Sequence, residues 1–259
     1  MSVREYEKKA NSKPSIPQSV LQNRGYDEVW VRLCTWERQL HQAEPWQFPF
    51  PSSEYRLSTM KWENSAMLAT SLSGSADLQS QMDHAATRVV ELLKAASSEF
   101  HTQKVVFAES CTAGLIAATL GRIPGVSDFL AGSTVVYQVE TKACWLGADR
   151  GLLANPGPVS EVIATQMATG VLQMTPHADV SLSITGHLGP GAPAGLDGVV
   201  WLGIAKRVPD GEERLPERIS TRLIQLTELS VSVSDGAALR QLRQQAAVVE
   251  ALTFLAENL

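Results

Sequence analysis

The pattern of apolar and polar residues changes near residue 77. From there to the C-terminus, short apolar runs alternate with segments whose apolar residues recur at helical spacing. Asp77 is predicted to cap a helix over residues 78–97, and residues 237–259 are predicted to form a long final helix. The stripe of the first helix comprises Met82, Ala85, Val89, Leu92 and Ala96.

The apolar runs between these helices predict strands. They are Val105–Ala108, a run ending at Tyr137, Asp179–Ile184, Gly198–Lys206 and Arg218–Gln225. Helices are predicted over Cys111–Leu120, around Lys142 and after Ser160. Strands that alternate with helices predict an α/β fold with a layered sheet. The last two strands are joined without a helix, so part of the sheet should be antiparallel and the whole sheet mixed.

Residues 1–76 have a different character. Asp27–His41 carries apolar residues at helical spacing, whereas Pro45–Tyr55 is rich in proline and aromatic residues and should be irregular. Ser71–Ala76 resembles a linker. We therefore predict an aromatic- and proline-rich N-terminal extension over residues 1–76 and one regular α/β domain over residues 77–259. The extension is expected to pack on that domain or on another subunit. A homo-oligomer is therefore expected.

Composition narrows the function classes. The formal net charge of −5 and the absence of clustered Lys and Arg argue against nucleic-acid binding. No run approaches the roughly 18 apolar residues of a membrane span, and the charged N-terminus does not resemble a secretory signal. The three cysteines are too few and too scattered for a disulfide framework or a zinc site. A cytoplasmic protein without a metal or other cofactor is expected.

Candidate chemistry concentrates at a strand-to-helix corner. Ser110 follows the apolar run Val105–Ala108, so its hydroxyl could either cap the next helix or act as a nucleophile. No histidine has an evident partner, and there is no Gly-x-Ser-x-Gly elbow. Lys142, with Tyr137, offers another base, because a buried lysine can lose its proton near neutral pH. Ordinary structural roles for all three residues stay open at this point.

Two further features flank this corner. Cys111 is expected to pack in the core rather than attack, and Glu109 to order the corner through backbone hydrogen bonds. The glycine-rich segment Thr185–Gly191 follows a strand and could bind an anion through its amides or form a plain turn. It has neither the lysine of a P-loop nor the following helix of a dinucleotide-binding motif.

Four segments in this order resemble the C-terminal domain of the competence/damage-inducible protein CinA, the nicotinamide-nucleotide amidohydrolase (NMN deamidase) family. They are AESCTAGLIA from residue 108, VVYQVETKACWLG from 135, PVSEVIATQMATG from 158 and SLSITGHLGPGAPAGLDGVVWLGIA from 181. The resemblance covers roughly residues 80–259. It implies an α/β/α sandwich and metal-independent hydrolysis of a nicotinamide carboxamide, a step in the pyridine nucleotide cycle and NAD salvage.

The resemblance also implies roles for individual residues. The family's serine falls on Ser110, and its tyrosine and lysine fall on Tyr137 and Lys142, which would be the nucleophile, the proton-transfer partner and the base. The substrate, nicotinamide mononucleotide, would lie against the corner and the glycine-rich segment. The residues expected to bind it are Glu109, Cys111, Thr112, Gly114, Thr185, Gly186, Gly189 and Gly191.

Several positions depart from the family pattern. Ala113 stands where glycine is usual, Gln138-Val139 replaces Ser-Asn, His187-Leu188 replaces Ile-Ala, and Ala192–Ala194 shortens a glycine-rich insert. The proposed catalytic trio is intact, but the pocket is expected to differ. Two alternatives therefore stay open: a diverged member that binds a nucleotide or a partner without catalysis, and a Ser–Lys amidase with another amide substrate.

Overall fold

The computed structural model describes residues 75–207, 216–227 and 235–259. Its helices are α1 (Ser75–Ala96), α2 (Leu115–Leu120), α3 (Val139–Leu146), α4 (Arg150–Ala154), α5 (Glu161–Met174) and α6 (Gly236–Glu257). Its strands are β1 (Val105–Glu109), β2 (Leu130–Val135), β3 (Val180–Gly186), β4 (Val199–Arg207) and β5 (Pro216–Gln225). A short 3₁₀ turn, Val126–Asp128, precedes β2.

The strands form one mixed sheet in the order β2-β1-β3-β4-β5. Strand β1 runs parallel to β2 and β3, whereas β4 is antiparallel to β3 and β5. Because β1 and β3 are parallel and adjacent, Glu109 lies beside Ile184, and the segments that follow the two strands leave the sheet at the same edge. This edge carries the serine corner and the glycine-rich segment together.

Helices cover both faces of the sheet, each over its own apolar core. Helices α1, α2 and α6 pack on one face, where the buried residues include Phe107, Leu182 and Leu202. On the other face, α3 and α5 cover a second core that contains Val106 and Ala108. This is the predicted three-layer α/β/α sandwich with a mixed sheet, and the prediction is confirmed.

Helix α5 lies close to the sheet because the residues beneath it are small. The hydroxyl groups of Ser181 and Ser183 donate to the carbonyl oxygens of Ala168 and Ala164, at 2.7 and 2.5 Å. A Cβ on Gly203 would stand 2.6 Å from the Ala164 oxygen. The hydroxyl groups satisfy helix carbonyls at these positions while the missing side chain makes room for the helix backbone.

Several predicted boundaries are wrong. The helix expected directly after Ser110 begins only at Leu115, and the strand expected to reach Tyr137 ends at Val135. In α1, Leu93 is fully buried where the predicted stripe has Leu92, because the buried face is wider than one row. Helix α4 has no counterpart among the predicted elements.

The predictions for residues 1–74 lie outside the described residues. Helix α1 begins at Ser75, so the last two positions of the predicted extension are helical. No described helix combines the length and apolar character needed to span a bilayer.

Candidate active site

Ser110 and Lys142 form the centre of the site. Ser110 directly follows β1, and its backbone N–H donates to the Ile184 carbonyl at 3.1 Å. Lys142 lies on α3 with only 2% of its surface exposed, and Ser110 is 6% exposed. The Lys142 Nζ lies 2.7 Å from the Ser110 Oγ. The structure therefore brings together the predicted nucleophile and the predicted base.

The surroundings of Lys142 favour an uncharged amine. Burial lowers its pKa from 10.5 to about 8. Its Nζ also donates to the carbonyl oxygens of Val136, at 2.8 Å, and of Tyr137, at 3.4 Å. A neutral amine has two N–H groups, so these two carbonyls leave its lone pair for the serine hydroxyl. This is the arrangement that a general base requires.

Glu109 supports the corner from behind. Its carboxylate is fully buried and accepts five hydrogen bonds of 2.9–3.1 Å. The donors are the Thr112 and Ser133 hydroxyl groups and the backbone N–H groups of Gly114, Ile116 and Ala117. These three N–H groups lie at the start of α2, where the helix dipole stabilises a negative charge. The carboxylate therefore fixes the corner, as the sequence analysis expected of it.

The chain turns sharply between Ser110 and α2. Ala113 has φ 53° and Gly114 has φ 95°, both in the left-handed region. Glycine adopts this region without cost, whereas alanine does not. These two residues displace the start of α2 from the corner, so the first-turn amides of α2 face Glu109 rather than Ser110.

Cys111 lines the cleft but is not suited to attack. Burial raises the pKa of its thiol to about 12, although Lys142 acts to lower it. The thiol therefore stays protonated near neutral pH, and a thiol is a much weaker nucleophile than a thiolate. This geometry supports a packing role for Cys111.

Tyr137 is placed differently from the other two members of the predicted trio. Its side chain is 50% exposed, and its hydroxyl accepts a hydrogen bond from the Arg240 Nη2 at 2.6 Å. Among the described residues, no hydrogen bond joins this hydroxyl to Ser110 or Lys142. Because those two residues are in direct contact, no tyrosine is needed to relay a proton between them.

The glycine-rich segment forms the opposite wall of the cleft. Gly189 has φ 66°, and a Cβ there would stand 2.6 Å from both the Arg243 Nη1 and the Asp197 Oδ1. The buried Arg243 guanidinium binds the Asp197 carboxylate through two hydrogen bonds of 3.0 and 2.8 Å. The Arg243 Nη1 also donates to the Leu188 carbonyl at 3.4 Å, which joins the segment to α6. The charge-assisted fork to Asp197 leaves no room for a side chain at Gly189.

A cleft of about 250 Å³ lies between these walls. Of the predicted site residues, it is lined by Ser110, Cys111, Tyr137, Lys142, Thr185, Gly186, Gly189 and Gly191. Glu109, Thr112 and Gly114 do not line it, because they face the interior of the corner. These three residues support the corner, and their predicted contacts with substrate stay a prediction.

The cleft is basic. Lys142 and Arg240 line it, and no Asp or Glu is among the described residues of its wall. The His187 imidazole also lines it, and its pKa is lowered by burial and then by the positive charges of Arg240 and Lys142. A ligand with net negative charge is therefore favoured.

A second, larger groove of about 450 Å³ lies between α1 and α6. It is lined by surface side chains such as His84, Arg88 and Glu257 and contains none of the residues around Ser110. It is larger, but no nucleophile and base are in contact among its lining residues, so the smaller cleft is the candidate active site. No set of three or more His, Cys, Asp or Glu within the described ranges could hold a metal ion.

Sequence reasoning missed three polar residues of α6. Arg240 contacts Tyr137, Arg243 holds the glycine-rich segment, and the Gln244 amide donates to the carbonyl oxygens of Cys111 and Thr112 at 3.3 and 3.0 Å. Their spacing of three and four residues places them on one face of the helix. Polar residues at that spacing beside the apolar stripe were the available signal.

Known proteins share this domain. The family model described as the CinA C-terminal domain matches residues 82–259. A CinA-like protein of Mycobacterium leprae (strain TN) is 37% identical over 147 residues, which are 52% of this chain and 34% of that protein. A CinA-like protein of Mycobacterium avium (strain 104) is 48% identical over 89 residues, which are 34% of this chain and 20% of that protein. The match thus spans 34% or less of the length of these relatives.

The fold is also found in a solved structure. The crystal structure of the competence/damage inducible protein CihA from Agrobacterium tumefaciens superposes with a TM-score of 0.54 at 28% sequence identity. The match covers 68% of this chain and 93% of that chain. The similarity therefore includes nearly the whole of that solved chain.

Proposed function

Because the chain belongs to the CinA C-terminal domain family, we propose that it is an amidohydrolase that uses Ser110 as its nucleophile and Lys142 as its base. The observation that carries this proposal is the 2.7 Å contact between the Lys142 Nζ and the Ser110 Oγ in a buried site. A serine hydroxyl reacts only when an adjacent base takes its proton. The lowered pKa of Lys142 makes that base available near neutral pH.

The proposed reaction has two stages. The Ser110 Oγ attacks the carboxamide carbon while its proton passes to the Lys142 amine, and a tetrahedral oxyanion forms. The Lys142 ammonium then donates that proton to the leaving nitrogen, the C–N bond breaks, and ammonia departs from an acyl-enzyme. Water attacks the ester with Lys142 again as base, which yields the carboxylate and restores the Ser110 hydroxyl.

Stabilisation of the oxyanion is assigned to the corner itself. The backbone N–H of Ser110 already donates to the Ile184 carbonyl, whereas Cys111 follows the nucleophile and lines the cleft, so its backbone N–H is the proposed oxyanion donor. The first turn of α2 is not proposed for this role, because its amides bind Glu109. A part for the Tyr137 hydroxyl in delivering the proton to ammonia stays a prediction.

The substrate we propose is nicotinamide mononucleotide, which would be converted to nicotinic acid mononucleotide. Its phosphate gives the molecule a net negative charge, which suits a cleft that is lined by the Arg240 guanidinium and by no carboxylate. The backbone at Gly189 and Gly191, with φ 66° and 85°, lies on the wall opposite Ser110 and can approach a phosphate closely. Binding of the phosphate to this segment would leave the carboxamide for Ser110.

Comparison of two substrates tests this assignment. Pure protein is expected to release ammonia from nicotinamide mononucleotide and to act on nicotinamide riboside, which lacks the phosphate, with a kcat/KM at least about tenfold lower. Equal kcat/KM values for the two would contradict the anionic subsite. Release of ammonia from unrelated small amides at a higher rate than from the mononucleotide would favour a Ser–Lys amidase with another substrate.

A second candidate is a family member that binds a nucleotide or a partner without turning it over. The side chains of Val139 and His187, which depart from the family pattern, both line the cleft. Thermal stabilisation by nicotinamide mononucleotide without release of ammonia would support this candidate. The expected homo-oligomer and cytoplasmic location stay predictions.

A further inference from the structure

Arg240 connects the two walls of the cleft. From α6, its Nη2 donates to the Tyr137 hydroxyl at 2.6 Å and its Nη1 donates to the Gly189 carbonyl at 2.9 Å. No carboxylate in the described parts of the chain forms an ion pair with it. Two neutral oxygens from distant parts of the sequence therefore fix the guanidinium in one orientation.

Tyr137 occupies the short link between β2 and α3, which also supplies the carbonyls that hold the Lys142 amine. The Val136 backbone is tied to the sheet, because its N–H donates to the Glu109 carbonyl at 2.8 Å. The Tyr137 side chain is half exposed, so packing holds it only in part. The Tyr137 hydroxyl is bound by Arg240, and the Tyr137 carbonyl accepts from the Lys142 Nζ at 3.4 Å, so Tyr137 connects Arg240 to the Lys142 amine.

We propose that Arg240 is a positioning residue that acts through the Tyr137 hydroxyl to hold the Lys142 amine beside Ser110. The planar fork of an arginine suits two fixed acceptors, whereas a lysine would carry the charge without the fork. The inference rests on the proposed nucleophile and base, and it is independent of which amide is the natural substrate. It also gives the exposed Tyr137 side chain a role that does not require the hydroxyl to reach the reacting atoms.

Kinetics with a nucleotide substrate would not separate the positioning role of Arg240 from its direct binding of the substrate. A guanidinium has five N–H donors, so Arg240 could also contact an anionic substrate directly. A neutral probe removes that contribution. We therefore choose a neutral dialkyl fluorophosphate, in which the Ser110 Oγ forms a bond to phosphorus, the P–F bond breaks, and fluoride leaves with the bonding electrons. The serine proton passes to Lys142, and the leaving fluoride needs no proton from Tyr137.

The experiment measures the rate of labelling at Ser110 in the full chain by intact mass, with the site confirmed by peptide mapping. Tyr137→Phe and Arg240→Met are each expected to react roughly tenfold to a hundredfold more slowly than the wild type. The double variant should react no more slowly than the slower single variant, because both changes remove the same hydrogen bond. Arg240→Lys, which keeps the charge, should remain slow.

Gln241→Met provides the control, because Gln241 is exposed on the same helix and lies outside the cleft wall. It should react within about twofold of the wild type. Thermal unfolding shows that each variant is folded at the assay temperature. If Arg240→Met is unfolded, Tyr137→Phe decides the question alone, since it removes one oxygen from a half-exposed side chain.

Labelling of Tyr137→Phe at the wild-type rate would overturn the positioning role and leave the Ser110–Lys142 pair intact. Independent slowing that multiplies in the double variant would overturn it as well. Failure of the wild type to label at Ser110 would overturn the positioning role together with the proposed nucleophile. The failure of the inference is thus distinguishable from the failure of the function.

Discussion

At the scale of single residues, the site depends on the burial of one amine. Lys142 has no carboxylate partner among the described ion pairs, and its Nζ contacts two carbonyls and the Ser110 hydroxyl. An ordinary lysine would be protonated at neutral pH and could not accept the serine proton. Desolvation lowers the pKa of Lys142 to about 8, so a neutral amine that can accept a proton is available near that pH.

This burial predicts the pH dependence of the reaction. The neutral amine is the active form, so the rate should rise with pH through about 8 and then level off. The measurement is kcat/KM for ammonia release, or the labelling rate at Ser110, across pH 6 to 10 in one buffer series. Lys142→Arg should be inactive over the same range, because a guanidinium keeps its proton. A rate that falls with rising pH below 8 would contradict the assignment of Lys142 as base.

Ala113 predicts a change in stability at the same corner. It is exposed and has φ 53°, a conformation that glycine adopts more readily than alanine. Ala113→Gly should therefore raise the free energy of unfolding by about 0.5–1 kcal/mol, measured by urea denaturation. Ala118→Gly is the matched control, because it is exposed within α2 and should lower that free energy by about 1 kcal/mol. Destabilisation by both variants would show that the corner tolerates alanine without strain.

At the scale of secondary structure elements, the position of Lys142 depends on the contact between α3 and α5. Gly170 lies inside α5, and a Cβ there would stand 2.1 Å from the Leu146 carbonyl oxygen, at the end of α3. The two helices meet backbone to backbone at this point. Any widening of that contact would move α3, and with it the amine that faces Ser110.

Gly170→Ala should therefore destabilise the protein, although alanine favours an ordinary helix by about 1 kcal/mol over glycine. We expect a loss of about 1–3 kcal/mol in the free energy of unfolding, together with a lower kcat in the variant that remains folded. Urea denaturation and ammonia release measure the two effects. Met174→Ala, at an exposed position of the same helix, serves as the control and should change stability by less than about 0.5 kcal/mol. A more stable Gly170→Ala variant would contradict the close contact.

The local elements were predictable from sequence, but several of their contacts were not. The corner after Val105–Ala108 and the glycine-rich segment after β3 follow from short apolar runs ended by polar or glycine residues. The late start of α2 was missed because it depends on the φ angles of Ala113 and Gly114 and on the buried Glu109. The partners of Arg240 are 51 and 103 residues distant in sequence, so no local pattern could pair them.

At the scale of the whole molecule, the mixed sheet determines which parts of the chain form the site. Alternation of strands and helices predicts the layers, and the short link before the last strand predicts the antiparallel part. The strand order is not encoded in these patterns, yet it is what places β3 beside β1 and the glycine-rich segment beside Ser110. From the sequence, only the family resemblance predicts that these segments form one site.

The central claim is that Ser110, activated by Lys142, hydrolyses a nicotinamide carboxamide. Its most direct test is the release of ammonia from nicotinamide mononucleotide by the pure protein, measured beside the Ser110→Ala variant. We predict equimolar ammonia and nicotinic acid mononucleotide from the wild type, and a kcat at least about a thousandfold lower for Ser110→Ala. Release of ammonia by Ser110→Ala at the wild-type rate would contradict the claim.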